Sequence, residues 1–170
     1  NQKVIYNEDM REFDLKKKFD FIFIGFNSWL HLLNYKDAKA CLKCIKTHMH
    51  STTKLYIDIF VPSSLFLYRP KDVAVPVLDF FDSIKKEIIY IDEIIDYNKK
   101  EEIIDINWLY KNKQKYFAEF HFKMKMYYPD KMINLLTENN FIINNIWGDY
   151  EKNKFNENSN LQIYDCQLNI

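Results

Sequence analysis

Glycine is nearly missing from this sequence: Gly25 and Gly148 are the only two in 170 residues. Glycine-rich loops cradle phosphates and dinucleotides because a residue without Cβ lets the backbone come close to the ligand. No such loop exists within these residues. Cysteine is almost as scarce, with Cys41, Cys44 and Cys166 forming an odd set. That is too few for a disulfide scaffold and in keeping with a reducing compartment. Cys41 and Cys44 have zinc spacing, but a structural site needs a full tetrahedral ligand set and no second pair follows. Both fall where a helix wants small apolar side chains, so they read as core and no metal is expected.

Long apolar runs are absent too. None approaches the roughly 20 residues that cross a bilayer, and no charged-then-apolar leader opens the chain. The sequence reads as soluble and cytoplasmic, with no membrane partner. Neither sign of charge is in excess, since 24 Lys and Arg balance 24 Asp and Glu. This removes the broad positive field that sequence-independent nucleic-acid binding uses and disfavours such a partner. The first residue is Asn, which raises the expectation of a fragment or a processed product. What the chain does hold is apolar and aromatic side chains, 48% and 17% of it, enough for the core of one domain.

The pattern along the chain alternates between strand and helix. Residues 3–6 (KVIY) read as a short strand, and 19–24 (FDFIFI) as a buried parallel strand, apolar on both faces and covered by two layers. Asn34 and Asp37 resemble a capping box, followed by Ala38, Cys41, Leu42, Ile45 and Met49 at helical spacing. A polar turn, HSTT, precedes the strand KLYIDIFVP, and together these segments make a βαβ unit. A short helical piece is expected near 76–84.

Residues 87–97, 102–110 and 115–127 are β-rich and separated by turns, as in an antiparallel meander. In the last of these, Tyr116, Ala118, Phe120, Phe122, Met124 and Met126 share a face expected to meet the core. Glu119, His121, Lys123 and Lys125 share the other. Pro129 starts a helix running to about Asn139, with Met132, Ile133, Leu135 and Leu136 inward. Strands at 141–147 and 161–169 flank a polar loop, with Gly148 and Asp149 in a turn. His48, His50 and His121 are scattered and expected at the surface.

Ligands of an open α/β sheet sit beyond the carboxyl ends of its strands. Two segments end strands at that edge. In EDMREF, an acidic side chain can accept from an exocyclic amine while the next side chain packs on a purine face. After FIFI, the small or polar Gly25, Asn27, Ser28 and His31 leave room for a ligand to reach the backbone, and Ser28 or His31 can bond to it.

At these residues the sequence resembles the class I S-adenosylmethionine-dependent methyltransferases of the small-molecule type. EDMREFDLKKKFDFIFIGFNSWLHLL, KLYIDIFVP and the tail from YYPDKMINLL to QIYDC are similar to that family's second half in order and spacing. The resemblance implies an α/β fold: a partial Rossmann-like methyltransferase sheet, an antiparallel β-meander insertion and an antiparallel C-terminal strand pair. It implies one partial domain, with cofactor-side elements over 1–62, the insertion over 63–128 and a closing helix and strand pair over 129–170. The cofactor would be S-adenosylmethionine, with Asp9 on the adenine amine, Met10 against the adenine ring, and Gly25, Phe26 and Asn27 bordering the methionine part. His31, Trp108 and Tyr110 would face a small-molecule acceptor such as a sugar, a nucleotide-linked metabolite or a natural product.

Three features of that family have no counterpart here: its first strand, its glycine-rich loop and the acidic end of its second strand. HSTT and Asn140 stand where it uses glycine turns. In its sheet the two absent strands lie between the segment at 3–6 and the strand at 19–24. An apolar, unpaired edge would remain, each buried unsatisfied backbone group costing roughly 1–3 kcal/mol. The missing half is therefore expected from residues outside this sequence, from another chain, or not at all. The last case would make the chain a non-catalytic interaction module whose meander pairs with a partner or with itself, as a homo-oligomer.

Overall fold

The computed structural model describes residues 4–169. The chain divides into two compact units, one built from residues up to Val61 and from Tyr127 onward, the other from Pro62–Met126.

The first unit contains β1 (Phe19–Ile24), a short 3-10 turn (Ser28–His31), α1 (Tyr35–Thr47), β2 (Met49–Phe60), and, from the C-terminal part, a helix Pro129–Glu138 and two strands, Phe141–Trp147 and Leu161–Leu168. Counting through the whole chain, these last three are α3, β7 and β8. The sheet order is β1-β2-β8-β7. β1 runs parallel to β2, whereas β8 is antiparallel to both of its neighbours. The βαβ unit read from the sequence is thus present, with α1 as its crossover.

α1 starts where the sequence provides a cap. The Asn34 side chain accepts from the Asp37 amide at 2.9 Å and donates to the Asp37 carboxylate at 2.9 Å, satisfying donors that the first turn leaves open. Its apolar stripe, Ala38, Cys41, Leu42 and Ile45, is buried. In α3 the buried residues are Met132, Leu135 and Leu136, with Pro129 at the first turn. The inward side chains of the central strands, Leu55, Ile57 and Ile59 of β2 and Tyr164 and Cys166 of β8, are fully buried.

The opposite sheet face is aromatic. Phe21 and Tyr56 lie 5.3 Å apart, and Tyr56 stacks on Trp147 at 5.7 Å with an interplanar angle of 17°. Phe21 and Phe23 are 57% and 61% exposed. This corrects the reading of β1 as buried on both faces. Ile24 is buried, and among the described residues β1 pairs only with β2, which leaves its other edge unpaired.

The expected strand at 3–6 also fails. Lys3 lies outside the described residues, and Val4, Ile5 and Tyr6 form no strand. A strand needs a ladder partner, and among the described residues no strand edge is paired to them. HSTT is not a turn but part of β2: the step from Phe19 to Phe21 on β1 is matched by the longer stretch from Met49 to Lys54 on β2. This bulge is held by the buried Thr53 hydroxyl, which donates to the Phe19 carbonyl and accepts from the His50 amide at 2.7 Å.

The second unit opens with a single helical turn, α2 (Ser64–Leu67), and continues as β3 (Val75–Asp82), β4 (Glu87–Asn98), β5 (Ile103–Lys111) and β6 (Tyr116–Lys125). All pairings are antiparallel, in sequential order. β3 replaces the helix expected near 76–84. Hydrophobic residues there suit either period, and the turn decides: Asp82 accepts from the amides of Ile84 and Lys85 at 2.9 and 3.0 Å, folding β3 back onto β4. Pro76, which cannot donate, is tolerated because β3 is an edge.

The division of β6 into a core face and a solvated face is corrected as well. Tyr116, Ala118 and Phe120 are exposed and Phe122 is half-buried, while Met124 and Met126 are buried as expected. Lys125, assigned to the solvated face, is buried, its ammonium donating to the Glu101 carbonyl at 2.6 Å and the Glu102 carboxylate at 3.1 Å.

Both glycines serve clearance. A Cβ on Gly25 would stand 2.2 Å from the Phe23 ring, and one on Gly148 would stand 2.1 Å from the Ser159 hydroxyl. Left-handed backbone is carried by other residues, among them Asn27, Lys86 and Asn140 at φ of 61°, 57° and 63°. Asn140 thus takes the conformation glycine would hold in that turn.

Candidate functional site

The tip of β1 is a tight, cross-braced turn. Phe26 and Asn27 are both left-handed, with φ of 55° and 61°. Asn suits this region because its short polar side chain bonds locally. Here the Asn27 carboxamide oxygen accepts from the Phe60 amide at 2.8 Å, and its own amide donates to the Asp58 carbonyl at 3.2 Å. The Asp58 carboxylate accepts from the Phe26 amide at 3.4 Å and from the Tyr150 hydroxyl at 2.9 Å. Accepting that hydroxyl raises the pKa of Tyr150, with desolvation adding to the effect.

Small residues then close the turn. Ser28, considered above as a ligand contact, donates its hydroxyl to the Gly25 carbonyl at 2.8 Å and is used within the turn itself. Phe26 is 90% exposed, and His31 is exposed at the end of the 3-10 turn. Trp29 and Leu30, between them, are buried and anchor the segment. Tyr127 donates to the Leu32 carbonyl at 2.6 Å, which fixes the chain as it leaves for α1.

Asp9 lies in a turn closed by the Glu12 amide on its carbonyl at 3.1 Å. Its carboxylate accepts from the Arg11 backbone amide at 2.9 Å and from the Arg11 guanidinium at 2.6–3.1 Å. The side-chain bonds from Arg11, then its amide, hold the Asp9 pKa down to about 2. Arg11 also reaches the Asp37 carboxylate at 3.3 Å. That contact fastens the turn to the first turn of α1, which follows the β1 tip in sequence. Met10 beside Asp9 is half-buried.

The rest of this segment is tied to the far end of α1. Cys44 donates to the Arg11 carbonyl at 3.2 Å. His48, expected at the surface, is buried: its Nε2 accepts from the Leu15 amide at 2.9 Å and its Nδ1 lies 2.7 Å from the Cys44 carbonyl. Phe13 packs on its ring at 4.7 Å. Burial raises the Cys41 thiol to about 12 and raises the less enclosed Cys44 as well, so both stay protonated at neutral pH.

In the second unit, Trp108 and Tyr110 are half-buried on β5. The Trp108 indole donates to Glu93 at 2.9 Å, and the other Glu93 oxygen accepts from Arg69. Phe122 meets Trp108 edge-on at 5.1 Å, and Phe120 lies 5.6 Å from Phe122. A second buried acid, Asp92, accepts from Lys111 and Tyr116. Burial opposes its charge, but these bonds prevail and its pKa is lowered.

Sequence reading did not single out Asp58, Tyr150, Arg11 or Glu93. Asp58 carried a usable signal, a lone acid between Ile57 and Ile59 near the end of an apolar strand. Tyr150 and Arg69 gave none, since their partners are distant in the chain. A cavity of about 940 Å³ beside β7 is lined by Phe141, Ile143, Trp147 and Phe155, and by none of the expected site residues.

No family model matches the sequence, and no curated protein matches it. Solved structures do. A S-adenosylmethionine-dependent methyltransferase from Clostridium acetobutylicum matches 95% of this chain at 14% identity and a TM-score of 0.75, over 63% of its own length. The CcbJ methyltransferase from Streptomyces caelestis matches 95% at 12% identity and a TM-score of 0.80, over 66% of its length. The sugar N-methyltransferase KedS8 from a Streptoalloteichus species matches 94% at 10% identity and a TM-score of 0.66, over 60% of its length. The chain thus spans less than two thirds of each. At these identities the likeness shows a shared α/β methyltransferase fold.

Proposed function

We propose that the chain is the C-terminal portion of a cytoplasmic methyltransferase that moves a methyl group from S-adenosylmethionine to a small-molecule acceptor. The observation that carries the reading is the sheet order β1-β2-β8-β7, with β1 parallel and β8 antiparallel to β2, in a chain that shares its fold with methyltransferases along nearly all its length. In this reading the segments 1–62, 63–128 and 129–170 make one partial methyltransferase domain.

The residues present fit the adenosyl group. Asp9, with its pKa held near 2, is ionised at neutral pH and presents acceptors only, as an exocyclic amine requires. Its side chain remains 35% exposed beside Arg11. Met10 follows as an apolar surface for a purine. The β1 tip supplies Gly25, Phe26 and Asn27, whose backbone is fixed by Asn27 and Asp58. Bound S-adenosylmethionine would supply an electrophilic methyl group on sulfur. The chain's part is to hold the two reactants in line, a contribution that positioning alone can make large. His31, Trp108 and Tyr110 are the acceptor contacts in this reading. A sugar-like or amine-bearing metabolite is the acceptor class, because the matched structures include a sugar N-methyltransferase.

The test is calorimetric titration of S-adenosylmethionine into this chain and into any N-terminally longer form its gene encodes. Saturable heat from either supports the reading, and its loss in Asp9→Ala assigns the adenine contact. Absence of heat from both overturns it and leaves the interaction module.

A further inference from the structure

The sheet of the second unit has two edges of different build. β3 carries Pro76, a bulge between Pro76 and Leu78, and the acids Asp79 and Asp82, devices that discourage another strand from adding. β6 has ten residues without proline, and among the described residues no strand pairs with its outer side. Residues 116–121 and Lys123 are exposed along it.

We propose that this edge is where two copies of the chain join, β6 against β6 in antiparallel pairing about a two-fold axis at His121. A two-fold contact must be self-complementary, and the sequence of β6 is. With His121 opposite its own copy, Glu119 faces Lys123 of the second chain and Lys123 faces its Glu119. On the other face of the same ladder, Phe120 meets Phe122 in both directions. Sliding the register by one residue would set Phe120 against His121 and mix the faces. Centring on Phe120 instead would set Lys123 against Phe117 and lose both ion pairs.

Glu119 and Lys123 are already prepared for the role. Lys123 lies 2.9 Å from Asp105, and Glu119 lies 3.5 Å from His121 and accepts from Asn107 at 3.3 Å, all exposed contacts within the sheet. Asp105 and Asn107 sit on β5, on the inner side, and Glu119 and Lys123 keep 61% and 55% of their side chains exposed. The product is a continuous antiparallel sheet across two chains.

Sedimentation velocity at micromolar concentrations reads the outcome. The chain is expected to dimerise, and Glu119→Lys or Lys123→Glu, each placing two like-charged pairs across the ladder, raises the dissociation constant of the dimer roughly tenfold. An equimolar mixture of the two variants restores opposite charges at both pairs, so heterodimers form in preference to either homodimer. The double variant, with the charges exchanged in one chain, returns to the original affinity. Far-ultraviolet circular dichroism identical to the parent confirms folding in each case. A monomer throughout, or single variants that associate as the parent does with no preference on mixing, overturns the proposal.

Discussion

The Asn27 carboxamide accepts the Phe60 amide at 2.8 Å, joining the residue that leaves β1 to the last residue of β2. With the Asn27 and Phe26 amides bonded to Asp58, this bond ties the two outgoing strand ends together. Asn27→Ala removes it and puts a Cβ-branched-free but non-polar residue at φ of 61°. The expected loss is about 2–3 kcal/mol, from an unmatched amide and from left-handed backbone without local compensation. Asn27→Asp keeps the acceptor and loses less. Urea denaturation of both variants measures the difference, and equal losses would mean that the side-chain bond contributes nothing.

Asp9 gives a pH signature. Its folded pKa lies below the ordinary 3.8, near 2, because Arg11 favours the charged form. The pairing therefore favours the folded turn above the ordinary value and is lost as pH falls through about 2. Carboxyl NMR should place the Asp9 midpoint near 2, and Arg11→Ala should return it toward 3.8. A midpoint unmoved by that substitution would exclude the ion pair.

Trp108 holds a buried carboxylate. Trp108→Phe keeps an aromatic ring against Phe122 but leaves one Glu93 oxygen without its donor. A hydrogen bond to a charged group contributes about 1.5–3 kcal/mol, and the loss of stability should fall in that range. Chemical denaturation followed by circular dichroism checks it. If the loss is smaller, water replaces the indole and Glu93 is more open than its 8% exposure indicates.

Much of the fold could be read from residue order. Asn34 and Asp37 announced the start of α1, and Pro129 that of α3, because capping chemistry is local. β3 could not be read this way. Val75, Val77, Leu78, Phe80 and Phe81 suit helix or strand, and pairing with β4 decides between them. The burial of Phe21 and Phe23 was overestimated for a related reason: an apolar run says what a strand tolerates, and the layer above it is set elsewhere. At the site, Gly25 and Asn27 drew attention through their types. The Asp58–Tyr150 contact spans 92 residues, beyond any spacing rule.

Lys86 offers a test of the chain's sparing use of glycine. It holds φ of 57° in the exposed turn between β3 and β4. Lys86→Gly relieves that strain while adding freedom to the unfolded chain, and should stabilise by about 0.5–1 kcal/mol. A thermal melt shows it as a raised midpoint. An unchanged or lowered midpoint would mean the turn carries no strain there.

The stack of Tyr56 on Trp147 has an optical consequence. Trp29, the other indole of the first unit, is sealed from solvent. Collisional quenchers such as acrylamide should therefore reach Trp147 and spare Trp29. Whatever comes to lie on that aromatic sheet face, whether a polypeptide layer or a ligand, would shield an intrinsic fluorophore and announce itself without a label.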